Sequence, residues 1–283
     1  MFAIMGITGQ VGGAAARTLL AARQPVRAIV RDAEKGAAWA ARGCEVAVAT
    51  IDDAASLAAA FQGSEGVFVL IPPNFDPTPG FPEVQAIIST LRTALETAKP
   101  AKVVCLSTIG AQATQENLLS QLGSVERALG SLSIPITFLR AGWFMENSLW
   151  DVAAAREGVI PSFLQPLDKP VPMVATADVG RVAAELLMET RTGRHVVELE
   201  GPLRVTPDEI ATTFASILGR PVRMEAVPRE TWIDLFTAQG MKNPTPRTRM
   251  LDGFNEGWIE FENTSVKGTV ALDTVLRELV ARS

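Results

Sequence analysis

The chain contains no tyrosine, one histidine and two cysteines among its 283 residues. Without tyrosine, any mechanism that uses a phenol as acid or base is excluded. A single histidine, His195, excludes a histidine-rich metal site, and no metal is expected. Cys44 and Cys105 are too far apart in sequence for a zinc motif and too few for a disulfide framework. Cys105 lies in Lys102-Val103-Val104-Cys105-Leu106 and reads as a small core hydrophobe. Cys44, at a strand edge, keeps a structural reading beside a less favoured redox one. Every apolar stretch is interrupted well short of about 18 residues, so no membrane span is expected. The start, Met1-Phe2-Ala3-Ile4-Met5-Gly6, carries no basic segment, and no signal peptide is expected. Positive charge is also short. The net charge of −5 disfavours direct binding to nucleic acid. A cytoplasmic monomer or homodimer is the resulting expectation.

What is present is enough apolar material, 47% of residues, to build a real core. The first half alternates apolar strands with Ala- and Leu-rich helices. Strands are expected at Phe2–Met5, Val26–Val30, Cys44–Ala49, Val67–Ile71, Val103–Leu106 and Pro135–Leu139. Helices are expected between them, at 11–22, 33–42, 53–61, 83–99 and 118–132. Uninterrupted apolar strands are buried on both faces, as in parallel sheets. The fold class is therefore α/β, a doubly wound parallel sheet of Rossmann type, with a smaller, interleaved α/β C-terminal domain. The dinucleotide-binding domain is expected to span 1–150 and to take in roughly 174–200, including a helix at 177–190 and a strand at 196–199. The remainder, 151–173 and 201–283, forms the smaller domain. Thr206-Pro207-Asp208-Glu209 is a helix start with the spacing of a capping box. Two more helices are expected at 230–239 and about 270–281. The segment Lys242–Asn263 brings Phe254, Trp258 and Phe261 together, to cover a pocket or to form a subunit contact.

The most informative segment is Gly6-Ile7-Thr8-Gly9-Gln10-Val11-Gly12-Gly13, directly after the first strand. Its G-x-x-G-x-x-G spacing assigns three tasks. Gly6 makes the tight turn, Gly9 lets a pyrophosphate approach the backbone, and Gly12 lets the helix press on the strand. The first helical turn then offers free N–H groups to phosphate. A plain glycine-rich turn is the alternative, disfavoured because the loop sits on the first strand of a βαβ unit. The second strand ends in Arg31-Asp32, with Lys35 following. An acidic residue at that end commonly holds the ribose hydroxyl of NAD, whereas Arg31 suits a 2′-phosphate. NADP(H) is therefore expected in preference to NAD(H). Arg31 as a mere surface residue, or blunted by pairing with Asp32, is the opposing reading.

The glycine loop, the Arg31-Asp32 pair and the run Thr137-Phe138-Leu139-Arg140-Ala141-Gly142-Trp143-Phe144-Met145-Glu146-Asn147 together resemble the NmrA-like family of atypical short-chain dehydrogenases/reductases. Glu200-Gly201-Pro202, Thr206–Ile210 and Leu218–Val222 are similar to the C-terminal half of that family. The resemblance implies a nicotinamide cofactor lying across the carboxyl edge of the sheet. It places Thr50 and Ile51 at the adenine and Ile71, Pro72 and Pro73 at the ribose and phosphates. Ser107 and Thr108 follow the fifth strand, and Gly142, Trp143, Phe144 and Asn147 lie near the nicotinamide. Ser107 as a simple strand-end cap, and Trp143 and Phe144 as packing between domains, remain alternatives.

The departures from the family are specific. Its wider superfamily pairs a tyrosine with a lysine, and this chain has no tyrosine. Quinone-reductase-like members keep a lysine before the sixth strand; aligning Glu126 with their glutamate puts Leu122 in that place. Thr50 stands where many relatives carry Asp, and Ala141 where many carry Pro. Asn117, Glu116 and Glu126 read as surface or capping residues. The leading expectation is an NADPH-dependent oxidoreductase of a quinone or similar electrophile, since the cofactor carries the chemistry. Phe75 and Phe81, in the loop 72–82, would roof a flat substrate with Trp143 and Phe144, or else belong to a rigid surface loop. The alternative function is a cofactor-binding redox sensor acting through a regulatory protein. An isoflavone-reductase-like activity, which wants the missing lysine, comes third.

Overall fold

The computed structural model describes residues 1–283. Alternation in the first half is complete. β1 (Phe2–Ile4), α1 (Gln10–Ala21), β2 (Val26–Val30), α2 (Ala33–Ala40), β3 (Glu45–Val48) and α3 (Ala54–Phe61) come first. β4 (Gly66–Val69), α4 (Pro82–Ala98), β5 (Lys102–Thr108), α5 (Ser120–Leu129) and β6 (Ile136–Ala141) follow. β7 (Trp143–Phe144) then leads into a 3-10 segment, Met145–Asp151. After it come α6 (Val152–Glu157), β8 (Val159–Ser162), β9 (Met173–Val174), α7 (Thr176–Met188), β10 (Arg194–Glu200) and α8 (Pro207–Leu218). The chain ends with β11 (Arg223–Ala226), α9 (Trp232–Ala238), α10 (Thr245–Glu256), β12 (Val266–Lys267) and α11 (Leu272–Arg282).

Eight strands form one sheet in the order β12-β10-β6-β5-β4-β1-β2-β3, and every pairing is parallel. This is the doubly wound arrangement, with its direction reversing between β1 and β4. Side chains alternate across it. Phe2 and Ile4 enter one core with α1, α2 and α7, while Ala3 and Met5 enter the other with α3, α4 and α5. A third core, built on Trp232, Phe214 and Phe236, belongs to the C-terminal half. Two short parallel pairs, β7 with β9 and β8 with β11, stitch that half together. No helix is long and apolar enough to cross a membrane.

Two glycines set how closely helices approach. A Cβ on Gly12 would collide with the Gly6 carbonyl oxygen, so α1 can press on the strand turn only with glycine there. A Cβ on Gly180 would meet the Ala14 side chain and lie 2.6 Å from the Val11 carbonyl oxygen, which fixes α7 against α1. The capping box before α8 is formed: the Glu209 N–H donates to Thr206 Oγ1 (3.1 Å) and the Thr206 N–H to Glu209 Oε2 (2.7 Å).

Two sequence expectations need correction, and one helix goes beyond them. Residues 245–256 form α10, which escaped notice because Thr, Arg and Asn dilute its apolar face. Pro246 fits its first turn and Gly257 ends it in the left-handed region (φ 93°). Phe81 is no roof: it is buried in the core of the α4 face. Glu126 is no surface residue either. It is 3% exposed and grips Arg140 bidentately, Oε1 to Nε at 2.9 Å and Oε2 to Nη2 at 2.7 Å. Asn117 is neither a surface residue nor the cap of α5: it is fully buried and accepts the Leu119 N–H in the turn before that helix.

Arg140 also contacts Glu198 and Glu262. Burial alone would depress its pKa; the carboxylates of Glu126 and Glu262 more than reverse this and hold it protonated. Removing the guanidinium strands buried carboxylates. Arg140→Met is therefore expected to cost about 3–5 kcal/mol of stability in urea denaturation. A loss under about 1 kcal/mol would show that the cluster is not an internal ion pair but a solvated one.

Candidate active site

A cavity of about 1110 Å³ opens at the carboxyl edge of the sheet. It lies where β1 and β4 diverge, the place at which open parallel sheets bind ligands. Its floor is the glycine loop: Gly6, Thr8, Gly9, Gln10, Val11 and Gly12 all line it. Gly6 turns with φ 62°. Gly9 precedes α1 without any side-chain cap. The first helical bond runs from the Gly13 N–H to the Gly9 carbonyl, leaving the Gln10, Val11 and Gly12 N–H groups unclaimed by the helix. A side chain on Gly9 would crowd the Gly6 carbonyl at 3.2 Å. The cradle fits a pyrophosphate: exposed N–H donors, a helix N-terminus and no Cβ in the way.

At one end of the cavity, Arg31 lines the wall while remaining exposed. The Asp32 carboxylate turns away from it and caps α2 by accepting the Glu34 N–H at 2.9 Å. No ion pair between the two forms. Ile51, Ile71, Pro72, Pro73, Ser107 and Thr108 also line the cavity. Lys35 and Thr50 do not. Lys35 sits exposed on the first turn of α2, and Thr50 hydrogen-bonds Asp52, holding that carboxyl below its ordinary pKa. Ser107 is buried and donates to Glu126 Oε1 at 2.6 Å, so its hydroxyl proton serves the Arg140 cluster.

The other end is aromatic. Gly142, Trp143, Phe144 and Asn147 line it together with Phe75, Phe163 and Phe254. Trp143 meets Phe254 edge to face at 5.4 Å, so it packs between the two halves and faces the cavity at once. Phe75 meets Trp150 at 6.2 Å, joining the loop after β4 to the 3-10 segment. Leu122, at the position where the family resemblance implies a lysine, is on the wall. α10 supplies Arg247, Met250, Leu251 and Phe254, so the segment 242–263 does cover the pocket. Two anchors hold it there. The Lys242 and Asn243 N–H groups donate to Asp76 (2.9 and 2.7 Å), and the Leu118 N–H donates to the Pro246 carbonyl (2.9 Å).

Asp151 is a wall residue that the sequence reading missed. Nothing local marks it, since it follows a segment read only for its aromatics. Burial in apolar surroundings pushes its carboxyl up to about 6, and the Ser148 hydrogen bond only partly opposes this. Glu146, behind the wall, is also raised by burial, although the Thr176 hydroxyl and N–H both donate to it.

With this geometry in hand, comparison with known proteins gives a consistent result. The sequence profile of the NmrA-like family matches residues 1–260, and the chain belongs to that family. The NAD(P)H azoreductase of Xenophilus azovorans is 30% identical over 243 residues, covering 85% of this chain and 82% of that one. Quinone oxidoreductase 2 of Escherichia coli (strain K12) is 29% identical over 228 residues, 78% of this chain and 76% of that one. Among solved structures, the triphenylmethane reductase of Citrobacter sp. matches with a TM-score of 0.81 at 23% identity, covering 99% of both chains. That likeness bears out the Rossmann-like fold.

The raised pKa of Asp151 has a consequence for stability. Its folded value exceeds the unfolded one, so its protonated form is favoured on folding. Stability from this group is therefore present below about pH 4 and is lost as pH rises through about 6. Asp151→Asn is expected to stabilise the protein by about 1 kcal/mol at pH 8, kept small by the solvent the side chain still meets. The gain should shrink as pH falls towards 5. Thermal melts across this range check it; a gain independent of pH refutes it.

Proposed function

We propose that this chain is an NADPH-dependent reductase of flat, conjugated acceptors such as quinones. One observation carries the reading: a single cavity joins the uncapped N-terminus of α1 to an aromatic chamber across the switch point of the sheet. The relatives add support, because those at 29–30% identity are an azoreductase and a quinone oxidoreductase. Gly9, Gln10, Val11 and Gly12 would hold the pyrophosphate through backbone N–H groups. Arg31, free of Asp32, would take the 2′-phosphate, which favours NADP(H) over NAD(H). Ile51, Ile71, Pro72 and Pro73 would bound the adenosine half, and Gly142, Phe144 and Asn147 the nicotinamide.

When bound, the reduced nicotinamide supplies a hydride. The chain's own part is to position an acceptor against Trp143, Phe144 and Phe75 and to keep water away. An acceptor oxygen that gains a negative charge also needs a proton. Asp151, protonated below about pH 6, can give one from its carboxyl and recover it from solvent. Leu122 offers no such group. Its place on the wall favours a second reading, a cofactor-binding sensor without turnover.

Three measurements test the proposal. Purified protein with a quinone panel should consume NADPH, and Gly9→Asp should abolish turnover by placing a carboxylate against the pyrophosphate. Tight NADPH binding with no turnover on any acceptor would select the sensor instead. Arg31→Ala should lower the NADPH/NADH affinity ratio about 10-fold or more. An unchanged ratio removes the 2′-phosphate assignment. If Asp151 gives the proton, the wild-type rate falls as pH rises through about 6, and Asp151→Asn loses that dependence.

A further inference from the structure

The cavity wall carries only three ionisable side chains: Arg31, Asp151 and Arg247. The first two have roles above, and Arg247 is unexplained. It projects from α10, and its guanidinium stacks on Phe236 at 4.3 Å. Its one hydrogen-bond contact is the Met241 thioether, Nη1 to Sδ at 4.0 Å. No carboxylate pairs with it. The other arginines that the fold shelters, Arg27, Arg92, Arg140, Arg181 and Arg191, each have one.

The acidic groups of α10, of its anchor and of the cavity wall are engaged elsewhere or neutralised. On α10 itself, Asp252 binds Arg229 in a bidentate pair, and Glu256 accepts the Trp258 Nε1–H. Asp76, which anchors the start of α10, is spent on the Lys242 and Asn243 N–H groups. Asp151 forms no ion pair with Arg247, and burial favours the neutral form of its carboxyl. Burial pulls the Arg247 pKa down and nothing compensates. A sheltered cation without a counter-ion is costly. The Phe236 ring and residual solvent offset part of that cost, and an anionic ligand would offset the rest.

We propose that Arg247 is a specificity-determining residue and that the acceptor carries an acidic substituent, a carboxylate, sulfonate or phosphate. The guanidinium pairs with this group in fork geometry, and stacking on Phe236 fixes the plane of the fork. Phe163, Met224, Met250 and Phe254 of the same cavity are apolar and hold the conjugated body of the same molecule. The inference rests on the reductase reading for the word acceptor, but the anion subsite stands on its own geometry.

The test uses matched compounds, 1,4-naphthoquinone and its 2-sulfonate, with wild type, Arg247→Gln and Arg247→Lys. Each variant is first checked for a cooperative melt. Wild type should favour the sulfonate in kcat/KM by about 10- to 100-fold at low salt. Arg247→Gln should collapse that ratio, and Arg247→Lys should retain part of it. A wild-type ratio near one, or a ratio that Arg247→Gln leaves intact, overturns the proposal. So does a variant whose defect is weaker NADPH binding with an unchanged ratio, which would put the guanidinium on the cofactor. If neither quinone is turned over, the reductase reading fails separately. Calorimetric binding of 2-naphthalenesulfonate against 2-naphthalenemethanol then decides. Preference for the sulfonate, lost in Arg247→Gln, supports the subsite, and equal binding refutes it.

Discussion

Arg140, clamped by Glu126 and reached by Glu198 and Glu262, is the interaction on which the rest of the site depends. It sits in β6 between β5 and β10, at the edge where the cavity opens. Glu126 comes from α5, Ser107 from β5, and Glu198 from β10. Glu198 then accepts the Glu262 and Asn263 N–H groups and draws in the chain that follows α10. Two strand residues on, Glu200 accepts from Lys267 and Arg204. Buried carboxylates at the end of β10 thus dock the C-terminal segment onto the sheet. A buried ion cluster need not raise net stability over apolar packing. What it does here is fix position, because unpaired charge in that place is too costly for any other docking to compete.

The second constraint is steric. Gly12 and Gly180 let α1 lie hard against the first strand turn and against α7, with no room for a methyl group at either contact. The N-terminus of α1 is therefore held from two sides. Its free N–H groups point at a fixed spot without needing a bound ligand to order them. Such preorganisation reduces the cost of binding an anion. The cavity is thus rigid on the glycine-loop side and assembled from later chain on the other.

That division explains what the sequence revealed. The parallel sheet was legible because strands buried on both faces leave continuous apolar runs, and the glycine loop because close approach tolerates only one residue type. The capping box at Thr206 and Glu209 was legible because its chemistry is local. Long-range roles were not. Glu126 looked like a surface residue until β6 placed Arg140 against it. Phe81 belonged by sequence to a loop, yet its side chain fills the core. α10 lacked an apolar stripe strong enough to announce a helix, because Thr245, Arg247, Arg249 and Asn255 dilute its apolar pattern. Asp151 and Arg247 carry no motif at all. Each is defined by what fails to surround it, which only the folded chain can show.

On the proposed reductase reading, the absent tyrosine bears on what the cleft would reduce. An ordinary ketone that accepts a hydride becomes an alkoxide, a base far too strong to form without an acid beside it. A quinone becomes a phenolate-like anion, whose conjugate acid resembles a phenol of pKa about 10. The second product needs far less help, so a wall offering Leu122 rather than a proton donor would still permit it. Asp151 suits this modest demand, because a carboxyl raised to about 6 donates readily yet is easily recharged from solvent. Conjugation does for such an acceptor what the phenol and lysine do for a simple carbonyl. On the proposed reading the missing residue therefore narrows the acceptor more than it argues against catalysis, and an aromatic wall would suit the same flat molecules on independent grounds.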